Sequence, residues 1–264
     1  QWTYGSGIEV RTGGIDLLKV LTDEGTVTNS GGTIVNAQGF IEQVPDNTPR
    51  FSYDANGEVH LLAEEARTND LLNSDAPVTQ TVSVTDSVDY ALSVVGTGSA
   101  EITSGGSGTA TEGSPLIFQP TTTSVEVTVT GPLDFFQLEK GSSATSIIVT
   151  GGASKTRTDD DYLIDGVPFS NFWNAAEGTI VAEIQKDQDD TSTSNDAVVV
   201  SDGTISEAIV AGRNNTTSLW QVFNRSGGST DFNEAISFAT TQIRIAIGFR
   251  DNDYAVSFNG AVVD

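Results

Sequence analysis

Ser124-Val125-Glu126-Val127-Thr128-Val129-Thr130 places valine at every second position with a polar residue between each pair. That period matches a pleated strand with one buried and one wet face. Working outward, Thr81-Val82-Ser83-Val84-Thr85 and Tyr90-Ala91-Leu92-Ser93-Val94 repeat the pattern, with a Gly/Ser/Thr-rich stretch at 103–114 between them and the first strand. Several such strands between about Asp75 and Thr150 predict a small antiparallel sandwich. Further on, Ile243, Ile245, Ile247 and Phe249 alternate with Arg244, Ala246, Gly248 and Arg250. Tyr254, Val256 and Phe258 then lead to Asn259-Gly260, a hairpin turn signal. Other strands are expected over 179–184, 197–200, 208–211 and 218–223. The fold class expected is all-β: tandem antiparallel sandwich or jelly-roll domains behind an irregular N-terminal attachment segment.

Composition agrees. Thr, Val, Ser and Gly dominate the 264 residues, and periodic runs of helix formers are nearly absent. The segment from Gln1 to about Arg50 has no clear period and is expected to be irregular strands and loops. Asn56-Gly57 marks a hairpin turn, and Val59 to Asn69 reads equally as a short helix or a strand. The polar run Gly151-Gly152-Ala153-Ser154-Lys155-Thr156-Arg157-Thr158-Asp159-Asp160-Asp161 reads as a domain boundary. The expected domains are therefore 1–60 for attachment, 61–152 for a small sandwich and 162–264 for a larger one. The short strand after Asn259-Gly260 would leave an open edge, so the last domain is expected to continue beyond Asp264. The missing methionine likewise suggests a processed chain or a segment.

The formal charge of -24, from 36 acidic and 12 basic residues, argues against nucleic acid, whose phosphates require Lys/Arg neutralisation, and against anionic membranes. With no cysteine, disulfides, thiol nucleophiles and Cys-ligated metals are excluded together. No apolar stretch reaches the roughly 18–20 residues that span a bilayer.

Catalysis finds little support. His60 is the only histidine, has no motif around it, and argues against both a Ser-His-Asp triad and zinc chemistry. A glycosidase needs two carboxylates at a set separation, but Glu177, Glu183 and Glu207 are scattered along the chain. The expectation is a non-enzyme. Acidic clusters suggest one cofactor, Ca2+, which takes six to eight oxygens. The sharper candidate is the loop with Asp187, Asp189, Asp190 and Asp196; Asp159, Asp160 and Asp161 with Asp165 form the other. Neither has EF-hand spacing. Among the tryptophans, Trp220 is the candidate glycan contact on a strand face, Trp173 is expected to fill a core, and Trp2 to anchor the N-terminal segment.

Four phrases carry a resemblance: Pro49-Arg50-Phe51-Ser52-Tyr53-Asp54; Leu62-Ala63-Glu64-Glu65-Ala66-Arg67-Thr68-Asn69-Asp70-Leu71-Leu72-Asn73-Ser74; Phe136-Gln137-Leu138-Glu139-Lys140-Gly141-Ser142-Ser143-Ala144-Thr145-Ser146; and Phe172-Trp173-Asn174-Ala175-Ala176-Glu177-Gly178-Thr179. In that order the chain resembles bacteriophage virion structural proteins of the head-fibre, tail-fibre or minor structural type. The resemblance implies a carbohydrate-binding-module-like β-sandwich followed by a concanavalin A-like (laminin-G-like) jelly roll. The chain departs from that pattern where Ile147-Ile148-Val149 replaces an expected Tyr-Ile-Pro, and where no Trp follows the Asn-Asp-Leu-Leu phrase. The implied role is decoration or fibre on the virion surface, attached to other capsid or tail proteins, in the manner of a homotrimeric spike. A host-surface glycan is the second partner expected. The rival readings are a glycan-binding adhesin, with or without Ca2+, and a polysaccharide hydrolase.

Overall fold

The computed structural model describes residues 16–185, 195–214, 219–237, 242–250 and 253–263. The protein is all-β, with two short helices among the described residues. It divides into two compact units: Thr28–Tyr53 with Glu64–Asp161, and Gln1–Val27 with Asp54–Ala63 and Tyr162–Asp264. The chain therefore passes between units several times, instead of once at a linker.

The first unit contains β1 (Gln80–Ser83), β2 (Tyr90–Val95), β3 (Ser99–Ser104), β4 (Gly108–Thr111), β5 (Leu116–Phe118), β6 (Ser124–Thr130) and β7 (Phe135–Lys140). These form a 4-stranded antiparallel sheet in the order β4-β3-β6-β1 and a 3-stranded one in the order β5-β2-β7. As the alternation in β6 requires, Val125 and Val127 are fully buried. They meet Leu92, Ala100, Ile102, Phe136 and Leu138 in one core drawn from both sheets, which gives the unit its β-sandwich character. A bulge between Glu126 and Val127 shifts the register of β6 against β3.

Strand β7 departs from simple alternation. Phe136 and Leu138 face the apolar core, yet Gln137 and Glu139 on the opposite face are also buried. What covers that second face comes from outside the run 75–140. Arg67–Asn69 pairs with Lys155–Arg157, and Thr33–Val35 with Ile41–Gln43. Residues 28–53, expected in a separate attachment segment, are thus part of this unit. The polar run 151–161 belongs to the first unit, with Arg157 within it 0% exposed, and the division between units falls at its end, between Asp161 and Tyr162, where the larger domain was expected to begin. Its polarity reflects an internal charge layer, which composition cannot distinguish from a solvated junction.

The second unit contains β8 (Glu177–Gln185), β9 (Asn195–Ser201), β10 (Ala208–Asn214), β11 (Leu219–Ser226), β12 (Ser229–Ile236), β13 (Gln242–Arg250), β14 (Asp253–Phe258) and β15 (Ala261–Val263). Two 4-stranded antiparallel sheets, β8-β13-β14-β15 and β9-β10-β11-β12, share a core that includes Ile180, Ala182, Val222, Ile243, Ile245, Ile247 and Phe258. The alternation read at 243–249 is realised, with those side chains inward and Arg244 and Arg250 outward. Asn259 (φ 51°) and Gly260 (φ 85°) form the expected turn, with Phe258 opposite Ala261. Consecutive strands β9 to β12 lie side by side as a meander.

Residues 16–24 differ from the irregular structure expected. Leu17–Glu24 is a helix, started by Asp16, whose side chain accepts from the N–H groups of Leu18 (3.0 Å) and Lys19 (3.3 Å). Leu17 packs against the core of the second unit, and Leu21 is buried. The signal was present in Asp16 followed by Leu17, Leu18 and Leu21, but one short apolar turn is hard to separate from a strand. The ambiguous stretch 59–69 resolves into two short strands, Val59–Leu61 and Arg67–Asn69.

Candidate functional site

Two places concentrate polar side chains: a buried layer in the first unit and an open groove in the second.

The buried layer is centred on Arg50, 1% exposed. Its Nε donates to Asp160 Oδ1 (2.9 Å), and Nη2 donates to Asp160 Oδ2 and to Glu64 Oε2 (2.6 Å). Nη1 donates to the Thr33 carbonyl and to Ser146 Oγ, each at 2.9 Å. Glu64 also accepts from the Ser146 N–H (2.8 Å) and from Ser146 Oγ (2.5 Å), and forms an ion pair with Arg157 Nη1 (3.1 Å). Arg157 continues to Thr145 Oγ1 (3.1 Å) and to the Glu65 carbonyl (2.6 Å). Glu139, on the outer face of β7, accepts from Thr145 N–H (2.6 Å), Thr145 Oγ1 (2.7 Å) and Gln137 Nε2 (2.9 Å).

Burial raises the Glu64 carboxyl, but the Arg157 and Arg50 guanidiniums outweigh it and hold the group at about 2. At Glu139 burial wins over Thr145, Arg157 and Gln137, and the carboxyl rises to about 7. The backbone accommodates the large side chains: a Cβ on Gly32 would lie 2.5 Å from Arg50 Cδ, and one on Gly141 2.7 Å from Arg67 Nη2. The layer is closed and its carboxylates are bonded on several sides. It holds together strands whose apolar content is small. The phrases 49–54, 62–74 and 136–146 supply most of its members, so much of what made them distinctive is internal bonding.

The groove is different. It is open, encloses about 830 Å³, and lies at the end of the sheet β8-β13-β14, where residues 177–179, 248–250, 253 and 255 come together. Its floor is made of small groups, with Gly248 opposite Thr179 on one side and Ala255 on the other. Phe172, Trp173 and Asn174 wall one side, while Glu177, Arg250 and Asp253 supply charge at the end. Arg250 Nε and Nη2 both donate to Asp253 Oδ2 (2.8 and 2.6 Å) on the surface. The wall is stiffened by aromatic contacts: Trp173 stacks on Phe169 (5.3 Å between centroids) and on Phe249 (5.0 Å). As expected, Trp173 packs against the core.

The sequence-derived candidates fare unevenly. Trp220 is 3% exposed and belongs to the core, so it offers no ring face to a sugar. Its strand is buried on the face where an exposed one was expected. Asp187, Asp189 and Asp190 and the side chain of Asp196 lie outside the described residues, as does Trp2. Asp160 is not a loop ligand for calcium; it accepts from Arg50, from Asn29 Nδ2 (3.0 Å) and from the Glu64 N–H (2.9 Å). Asp165 is exposed at the start of the short helix Gly166–Ser170. Glu177 and Glu183 sit six residues apart on one face of β8, a separation of about 20 Å at strand rise. That is well beyond a glycosidase pair, and Glu183 is bonded to Arg244 (2.6 Å). Glu207 accepts from the Gly227 N–H, beside the other sheet.

His60 is buried, with Nε2 3.6 Å from Asp54 Oδ2. The groove and the environment of His60 were both missed by sequence reading. The groove depends on which small residues share a sheet face, and that becomes visible only with the register. Comparison with known protein families, curated proteins and solved structures gives no match.

Proposed function

We propose that this chain is a bacteriophage virion structural protein, displayed on the capsid or tail, that acts by binding and not by catalysis. The groove on β8-β13-β14 carries the binding part of the reading. Its small-residue floor leaves room for an extended chain, and Asn174, Thr179, Glu177 and Arg250 offer donors and acceptors along its sides. A host-surface glycan suits such a lining, because sugar hydroxyls both donate and accept hydrogen bonds. The aromatic wall is engaged by its own neighbours, so recognition would rest on hydrogen bonding more than on stacking. The assignment to a phage particle rests on the ordered phrases between residues 49 and 179, and the acidic surface accords with partners other than nucleic acid.

Purified protein applied to a glycan array, with and without CaCl2, tests the binding part. Binding is expected, and Ala255→Trp, which fills the groove floor from an exposed position, is expected to abolish it. A blank array removes the glycan partner. Release of reducing ends from a host polysaccharide overturns the non-catalytic reading. Gold-labelled antibody seen on purified particles supports the virion assignment, and unlabelled particles overturn it.

A further inference from the structure

The turn that carries His60 has a near-duplicate elsewhere in the chain, and the difference between the two is chemical. In Asp54-Ala55-Asn56-Gly57-Glu58, the Gly57 N–H donates to the Asp54 carbonyl (3.0 Å) and the Asp54 N–H to the Glu58 carbonyl (2.9 Å), with Gly57 at φ 80°. In Asn36-Ala37-Gln38-Gly39-Phe40 the same bonds measure 2.8 and 2.9 Å, with Gly39 at φ 83°. Asp54 Oδ1 accepts from the N–H groups of Asn56 and Glu58, both at 2.8 Å. Asn36 Oδ1 does the same for Gln38 (3.1 Å) and Phe40 (3.0 Å). A neutral amide thus shapes this turn as well as a carboxylate does, and the position of Glu58 accepts a phenylalanine. The turn itself requires none of the acidic groups at 54 and 58.

Those groups nevertheless converge. One carboxylate oxygen each of Asp54 and Glu58 and one ring nitrogen of His60 lie within 4.8 Å of one another. In the neutral turn the equivalent outer pair, Asn36 Nδ2 and Glu42 Oε2, makes a direct hydrogen bond of 3.2 Å. In the acidic turn, Asp54 Oδ2 and His60 Nε2 stand at 3.6 Å. It is close to the edge of a tetrahedron about a cation whose ligands lie about 2.1 Å away, roughly 3.4 Å.

We propose that the Asp54–His60 hairpin binds a single divalent transition-metal ion through Asp54, Glu58 and His60, with Zn2+ the best match. An imidazole nitrogen with two carboxylates suits zinc, whereas calcium calls for six to eight oxygens. Three protein ligands leave room for water in the remaining coordination positions. The Asp54 carboxylate is already oriented by the turn, since its Oδ1 is fixed by two backbone N–H groups and its Oδ2 takes only Asn56 Nδ2 (3.1 Å) within the turn. Such a site needs neither a second histidine nor a cysteine, because carboxylates provide the other ligands.

Isothermal titration of the full chain with ZnCl2, and separately with CaCl2, tests the site. One zinc per chain is expected, with no saturable calcium binding there. Co2+ should give the visible absorption of a low-symmetry site. Asp54→Asn keeps the turn, as Asn36 demonstrates, and Glu58→Gln changes an exposed residue. Each should weaken zinc by at least the roughly 10-fold that even an outer-shell loss costs, with the far-ultraviolet circular dichroism unchanged. No stoichiometric zinc binding, or binding that both variants leave intact, overturns the proposal and leaves a buried His-Asp pair.

Discussion

The two units are both antiparallel β structures, yet they place their charge in opposite ways. In the first, Arg50 and Arg157 have side chains 1% and 0% exposed and lie among Glu64, Asp160 and Glu139. In the second, the corresponding ion pairs are on the rim: the side chains of Arg244 and Glu183 are 65% and 21% exposed, and those of Arg250 and Asp253 are 73% and 55%. The second unit relies on a large aliphatic core, with Ile243, Ile245, Ile247 and Phe258 nearly inaccessible. The first adds a polar layer, on the opposite face of β7, to an apolar core of its own that includes Val125, Val127, Phe136 and Leu138. The difference teaches that a buried charge is a feature of assembly: such a layer works only when every partner is in place, because a lone buried charge is very costly.

The largest effect should come from removing one partner. Glu64→Leu takes the paired carboxylate from Arg157 and one of two from Arg50, which keeps Asp160, and is expected to destabilise the first unit by about 3–5 kcal/mol. Hydrogen exchange at the amides of β6 and β7 would report the loss. Trp173 and Trp220 lie in the second unit, and their fluorescence transition should move much less. Equal shifts in both probes would break the contrast.

The reverse test is Ile247→Ala, which should cost the second unit about 2–5 kcal/mol through lost burial and the cavity left behind. Here the tryptophan transition should shift to lower urea while exchange in β6 and β7 is nearly unchanged.

The pH response should also differ. Glu139 is raised from 4.5 to about 7 in the folded state, so its contribution is present below about pH 4.5 and is lost as pH rises through about 7. That loss is worth about 3 kcal/mol. Glu64 is lowered from 4.5 to about 2, so its contribution is present above about pH 4.5 and is lost as pH falls through about 2. The first unit should therefore be most stable near pH 4.5, as followed by exchange protection or urea titration from pH 3 to 8. Glu139→Gln should flatten the upper limb.

Gly32→Ala should cost about 1–3 kcal/mol by pressing a methyl into Arg50, measurable as a lower urea midpoint for the first unit. Arg244→Ala, at an exposed pair, should leave the urea midpoint of the second unit nearly unchanged.

Much of the strand pattern was legible in the sequence. Alternation at 124–130 and 243–249 is a local property, set by which side of a pleat each residue occupies, and both runs bury the side expected. Trp220 shows the limit of that logic. Alternation says that one face of a strand is buried, but the residue at the boundary of two readings can be placed on either face. The polar run 151–161 ends where the units divide, as expected, but its burial was not legible: Arg157 and Asp160 look solvated until Glu64 and Arg50, some hundred residues away, are brought against them. The phrases that carry the family resemblance were read as marks of a function, and three of them largely encode this internal layer.

By itself, then, the sequence determined the all-β class, the main strands and the Asn259-Gly260 turn, because period and turn chemistry act over a few residues. Tertiary structure alone decided where the charges went. The closure around Arg50 and the small-residue floor of the groove depend on register and on contacts between chain segments. Burial and convergence are properties of several segments at once, and no local pattern contains them.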